Sequence, residues 1–165
     1  MCFRSNQNKK KKIWENVGLI IHLSQMIEYN IANIIAGYTF LSNFEIDNSK
    51  TIEDYFERSF LSNIKLYDLN DKKTMGYLLG AAKKANVFDS NFEKQLDSIK
   101  QTRDYYAHTF FKEALFSNKI EMEPDSLIAS LNKTIEEFSI VNEKLLIIDS
   151  KQRRQATEIK RHFKK

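Results

Sequence analysis

Glycine and proline are scarce in this chain: its 165 residues hold four glycines and one proline. A sheet protein with many tight turns draws on both residues, so their scarcity favours long helices with few connections. Cysteine occurs once, at Cys2. It can form no internal disulfide, a usage that fits a reducing cytoplasm, which is the expected location. No apolar run approaches the about 20 residues that a membrane-spanning helix needs, and Val17 to Ile21 is far too short. Basic, apolar and small-residue segments do not follow one another as in a secretory leader, so neither a leader nor a membrane partner is expected. The three histidines are scattered, and no H-x-x-x-H or C-x-x-C spacing occurs. That pattern predicts no metal site and no cofactor. Gly76 and Gly80 are four residues apart but follow no strand and form no glycine-rich loop, so a phosphate cradle is not expected there. Nothing resembles a serine or cysteine nucleophile triad, and no strand pattern of period two is present.

What is present is ordinary for one globular domain: 42% hydrophobic and 29% charged residues. Charge, however, is unevenly spread. Arg4 and Lys9 to Lys12 give residues 1–12 a charge of +5, and residues 151–165 carry +6 from seven Lys/Arg and Glu158. The intervening 13–150 must then carry −7 for the whole to reach +4. This divides the chain into a basic N-terminal tail (1–12), a helical domain (13–150) and a basic C-terminal extension (151–165). Basic ends on an acidic body are candidates for RNA contact, with Arg153, Arg154, Lys160 and Arg161 the cations expected to serve. The plainer reading is a pair of solvated ends.

Hydrophobic spacing predicts an all-α fold, an up-and-down bundle of four to five helices. Val17, Ile20, Ser24, Ile27, Ile31, Ile34 and Tyr38 form one stripe of a first helix over about 13–40. Leu19, Ile21, Leu23 and Ile35 widen it, enough for a second buried face against a partner. Residues 43–50 read as a loop, and Thr51-x-x-Asp54 opens a short helix to about 64. A further helix is expected over about 74–86. Ser90-x-x-Glu93 is a capping box that starts the next helix, on which Phe92, Leu96, Ile99, Arg103, Tyr106 and Phe110 share a face. Residues 117–123 read as a loop, and Pro124 begins a last helix whose stripe runs from Leu127 to Ile148.

The chemistry concentrates in Arg103-Asp104-Tyr105-Tyr106-Ala107-His108. A histidine can take or give a proton near neutral pH, and an arginine fork fits phosphate. Asp104 and His108 are spaced i, i+4 on one helical face, where the acid can orient the imidazole. Arg103 interrupts an apolar stripe, an expensive place for a charge without a partner. Arg103 and His108 themselves stand about 140° apart around a straight helix and about 7.5 Å apart along it. They can serve one cleft only if it lies between their faces or the helix ends irregularly there. Tyr106 shares the face of Arg103 and is the better candidate of the two tyrosines for RNA contact, although such rings are more often core. Glu28, set among apolar residues of the first helix, is a candidate partner for Arg103, and His22 reads as structural.

The string Arg103-Asp104-x-x-x-His108, with Ala107 before the histidine and Phe110-Phe111 after it, resembles the signature of the HEPN superfamily. The long first helix and Thr74-Met75-Gly76-Tyr77-Leu78 opening a helix before the motif strengthen the likeness, which covers roughly residues 13–148. The resemblance implies a helical domain that pairs as a homodimer to bring two motifs into one cleft. It implies a metal-independent endoribonuclease acting through Arg103, Asp104 and His108 and leaving a 2′,3′-cyclic phosphate. Single-stranded RNA is the expected substrate. The implied setting is a toxin or antiphage effector with a cognate antitoxin or defence-system partner protein. Two other readings stay open: a non-catalytic helical module that binds nucleic acid or protein, and a subunit whose motif only stabilises a dimer.

Overall fold

The structure is a computed structural model that describes residues 2–46 and 74–162. The fold is an all-α helical bundle, and among the described residues every regular element is a helix. In chain order these are α1 (Cys2–Ile46), α2 (Met75–Lys84), α3 (Ser90–His108), α4 (Phe110–Phe116), α5 (Lys119–Met122) and α6 (Pro124–His162). The short helix expected over 51–64 lies outside the described residues.

Two compact units make up the chain, and α1, α3 and α6 each contribute to both. The first comprises residues 1–26 and 94–142. Its core joins Ile13, Val17 and Ile20 of α1 to Leu96, Ile99 and Tyr106 of α3, Phe110 and Ala114 of α4, and Leu131, Phe138 and Val141 of α6. Each large apolar side chain fully buried this way contributes about 1.5–3 kcal/mol. The second unit comprises residues 27–93 and 143–165. Ile27, Ile31, Ile34 and Phe40 of α1 are buried there, as are Met75, Leu78, Leu79 and Ala82 of α2, with Phe88, Phe92 and Leu145.

The stripe read from α1 is the buried one, but the helix starts eleven residues before its expected beginning at 13. Lysine is a good helix former, and the basic run finds acids: Lys9 meets Asp125 at 2.5 Å, Lys10 meets Glu121, and Lys11 meets Glu15 one turn on at 3.8 Å. What reads as an N-terminal tail is therefore helical from Cys2 onward. Likewise α6 continues to His162, so the basic extension is the end of a 39-residue helix.

Local signals explain the other boundaries. The amide of Met75, at the start of α2, donates to the Glu28 carboxylate at 3.1 Å, so Glu28 caps α2. The end of α2 is closed by Asn86, at φ 51°, whose N–H donates to Lys83 O while that of Val87 donates to Ala82 O. This is the paired closure that αL residues provide at helix ends. At the start of α3 the cap is Asp89, not Ser90. Its Oδ1 accepts from the N–H groups of both Asn91 and Phe92 at 2.9 Å. Pro124 takes the first position of α6, where its missing N–H loses no bond.

Candidate active site

The motif occupies the last six residues of α3, all within the first unit. The helix stops at His108. Thr109 departs to φ −117°, and α4 resumes at Phe110. Two bonds carry the chain through the break: Thr109 N–H to Tyr105 O at 2.8 Å and Glu113 N–H to Thr109 O at 3.1 Å. A side-chain bond spans it as well, with the Tyr105 hydroxyl donating to Glu113 at 2.9 Å. The irregular end, one of the two arrangements that let Arg103 and His108 serve one cleft, is thus present. It falls directly after the histidine.

Arg103 is half-buried and has its acid beside it: Nη1 donates to Asp104 Oδ1 at 2.9 Å. The other oxygen of Asp104 accepts from Lys100 Nζ at 2.7 Å. Both carboxylate oxygens are engaged by cations, and the expected i, i+4 bond from Asp104 to His108 is not made. Charge-assisted bonds to two cations outcompete a solvated imidazole for the same acceptor. The Lys100 bond is the main reason that Asp104 titrates below its ordinary value. Partial burial opposes it, and the Arg103 bond adds to it. His108 is exposed, and its imidazole bonds to no other described residue. Sequence reasoning passes over Lys100, although its i, i+4 spacing to Asp104 is the signal that finds it.

Of the two tyrosines, Tyr106 is the inner one. Tyr106 is only 7% exposed, its ring against those of Tyr105 and Phe110 and its hydroxyl 3.4 Å from that of Thr134. It lies one turn before Phe110 on the inward side and packs the core, the plainer of its two expected roles. Tyr105 is the exposed one of the pair. Partial burial and the bond to Glu113 push it up to about 12, so it stays a neutral donor at physiological pH.

The basic residues of the extension belong to the second unit. Arg153, Arg154 and Arg161 are exposed on α6, and Arg153 Nε donates to Asp149 at 2.7 Å. The side chain of Lys160 lies outside the described residues. On a helix, positions 154 and 161 stand seven apart and share a face. His22 is exposed on α1. Among the described residues no three His, Cys, Asp or Glu side chains gather as metal ligands, and no helix is long and apolar enough to cross a membrane. Comparison with models of protein families, with curated proteins and with solved structures gave no match.

Proposed function

We propose that the chain is a metal-independent endoribonuclease of HEPN type that cleaves single-stranded RNA. The observation that carries this reading is the end of α3. An exposed imidazole and a braced guanidinium stand within six residues of each other, at the point where the helix breaks. In the proposed reaction His108 takes the proton of the ribose 2′-OH. The 2′ oxygen bonds to phosphorus and the P–O5′ bond breaks. The leaving oxygen takes up a proton, leaving a 2′,3′-cyclic phosphate and a 5′-OH. Arg103 stabilises the charge that gathers on the phosphorane oxygens. Asp104 fits the task of positioning Arg103 better than that of orienting His108, because its carboxylate already holds the guanidinium.

The homodimer belongs to the same proposal. Leu115, Phe116 and Met122 follow the motif directly and are exposed by 69%, 92% and 75%. Such apolar surface beside the motif suits an interface between two copies that brings two motifs together. Phe116→Asp is expected to give a monomer in sedimentation with an unchanged helical spectrum. A dimer unaffected by that change would move the interface elsewhere. The biological role is that of a toxin or antiphage effector acting in the cytoplasm, restrained by a cognate antitoxin or another defence-system partner.

A ribonuclease assay tests the chemistry. His108→Ala and Arg103→Ala are each expected to lower cleavage by about 10²–10⁴-fold, with and without EDTA, while the helical spectrum stays unchanged. Cleavage that persists in His108→Ala would remove the catalytic assignment, and cleavage that EDTA abolishes would remove the metal-free mechanism. A second reading, a non-catalytic module for nucleic-acid or protein binding, is favoured by one observation: His108 lacks an acid partner among the described residues. Growth arrest on overexpression that depends on His108 separates the two.

A further inference from the structure

Trp14 is the one tryptophan of the chain and takes no part in the chemistry above. It is 51% exposed, although it carries the largest apolar surface of any side chain. One face of the indole is covered. It stacks on the Phe111 ring with centroids 4.1 Å apart and planes inclined by 16°. Phe111 stands three residues past His108, in the first turn of α4. From Phe111 the ring contacts lead back into the motif, to Phe110 at 5.0 Å and from there to Tyr106 at 5.2 Å. Phe110 and Tyr106 are buried. The indole plane is therefore fixed by rings anchored in the core of the same unit, and its second face is open.

The surroundings of that open face fit a base better than a protein. Lys10 and Gly18 flank Trp14 at i−4 and i+4 along α1. A Cβ at Gly18 would meet nothing within 4 Å, so the helix surface beside the ring is bare. Lys11, at i−3 on the same side of α1, is exposed and pairs with Glu15 one turn on. A charged rim of Lys and Glu is what the centre of a protein–protein interface avoids. Lys112, next to Phe111 in α4, is exposed and, among the described residues, has no acidic partner, so its charge is free to meet phosphate. A rigid ring with cations beside it is the arrangement on which unpaired bases stack.

We propose that the open face of Trp14 is a base-stacking subsite for single-stranded RNA. It takes a nucleotide flanking the one cleaved at Arg103 and His108 and holds the strand in register for cleavage. The choice of RNA rests on the ribonuclease reading, while the stacking site itself rests on the geometry of Trp14. Because the chain has a single tryptophan, its fluorescence reports this site alone. The probe is a short 2′-O-methyl oligonucleotide, which lacks the nucleophile and is not cleaved.

Titration of the full chain is expected to quench Trp14 emission saturably. Affinity measured by anisotropy should fall about five- to hundredfold in Trp14→Ala and remain near wild type in Trp14→Phe, which keeps a stacking ring. Unchanged emission at concentrations where anisotropy shows full binding overturns the inference, as does a Trp14→Ala affinity equal to wild type. Emission that shifts with protein concentration and ignores the oligonucleotide also overturns it, and makes the face a contact between copies. The cleavage assay separates this from the parent reading. Loss of cleavage in His108→Ala with a silent Trp14 removes the subsite and leaves the nuclease. Saturable quenching with no His108-dependent cleavage removes the nuclease and leaves the subsite.

Discussion

Asp104 accepts from Lys100 and Arg103, and the side chains of the Lys100 pair are both 36% exposed. An ion pair that open to solvent contributes only about 0–1 kcal/mol, so the value of the arrangement lies in where it holds Arg103. Because the folded carboxylate titrates below its ordinary value, its stabilising effect is present above the unfolded pKa of 3.8 and is lost as pH falls through the lower folded one. Lys100→Met should move the Asp104 titration up, as read by carboxyl NMR. An unmoved titration would show that Lys100 does not hold it. Tyr105 runs the other way. Raised to about 12, it stabilises the fold below its ordinary value of 10.0 and loses that effect as pH rises through the folded value. Tyr105→Phe should therefore flatten the alkaline loss of stability over that window. That Arg103 and His108 can serve one cleft only between their two faces or at an irregular helix end was legible in their spacing, and the helix end is present. That Tyr106 packs inward was legible too, because it shares the apolar stripe of α3 with Phe92, Leu96, Ile99 and Phe110. The bond of the Tyr105 hydroxyl to Glu113 was not, because it spans the break between α3 and α4.

At the scale of the element, α3 shows how a correct helix can have a misread start. Ser90-x-x-Glu93 and Asp89 are both good capping patterns, and their order along the chain cannot choose between them. The choice is made by Asp89, whose one oxygen serves two orphan amides. Asp89→Ala should cost about 0.5–2 kcal/mol in denaturant unfolding and Ser90→Ala only a few tenths. Equal effects of the two changes would contradict the assignment. The early start of α1 escaped the sequence for a different reason. Lys9 and Lys10 are held by Asp125 and Glu121, more than a hundred residues away, and no local pattern announces such partners. Gly37 carries a similar distant condition. Gly to Ala inside a helix ordinarily gains up to about 1 kcal/mol, but a Cβ there would stand 2.5 Å from Gln152 Oε1. That oxygen is already buried, with no hydrogen-bond partner among the described residues. Gly37→Ala should gain less than Gly18→Ala, where the space is open, and Gln152→Ala should restore the difference. Additive effects of Gly37→Ala and Gln152→Ala would show that the two positions do not touch.

Over the whole molecule, the scarcity of glycine and proline and the three-and-four spacing of α1 and α6 made the all-α class legible. The division into two units was not, because its boundaries fall inside α1, α3 and α6, where no linker composition marks them. The charge pattern was legible in amount and not in form. The N-terminal run is largely neutralised by its acids, which leaves the end of α6 as the more available basic surface. Arg153 is tied to Asp149, while Arg154 and Arg161 are exposed on one face. If that face guides RNA, each phosphate left without its cation should lower the slope of log affinity against log salt by about 0.7. Truncation is a poor test, because it removes Gln152 from beside Gly37 and disturbs the packing of its unit. Reversing charge in place avoids this. Arg154→Glu with Arg161→Glu should weaken binding of a labelled single-stranded RNA and flatten its salt dependence, with thermal unfolding unchanged. Cleavage at saturating RNA should persist, since the proposed chemistry uses neither residue. An unchanged salt slope would make the end of α6 a solvated helix and leave Arg103 and Lys112 to meet the phosphates.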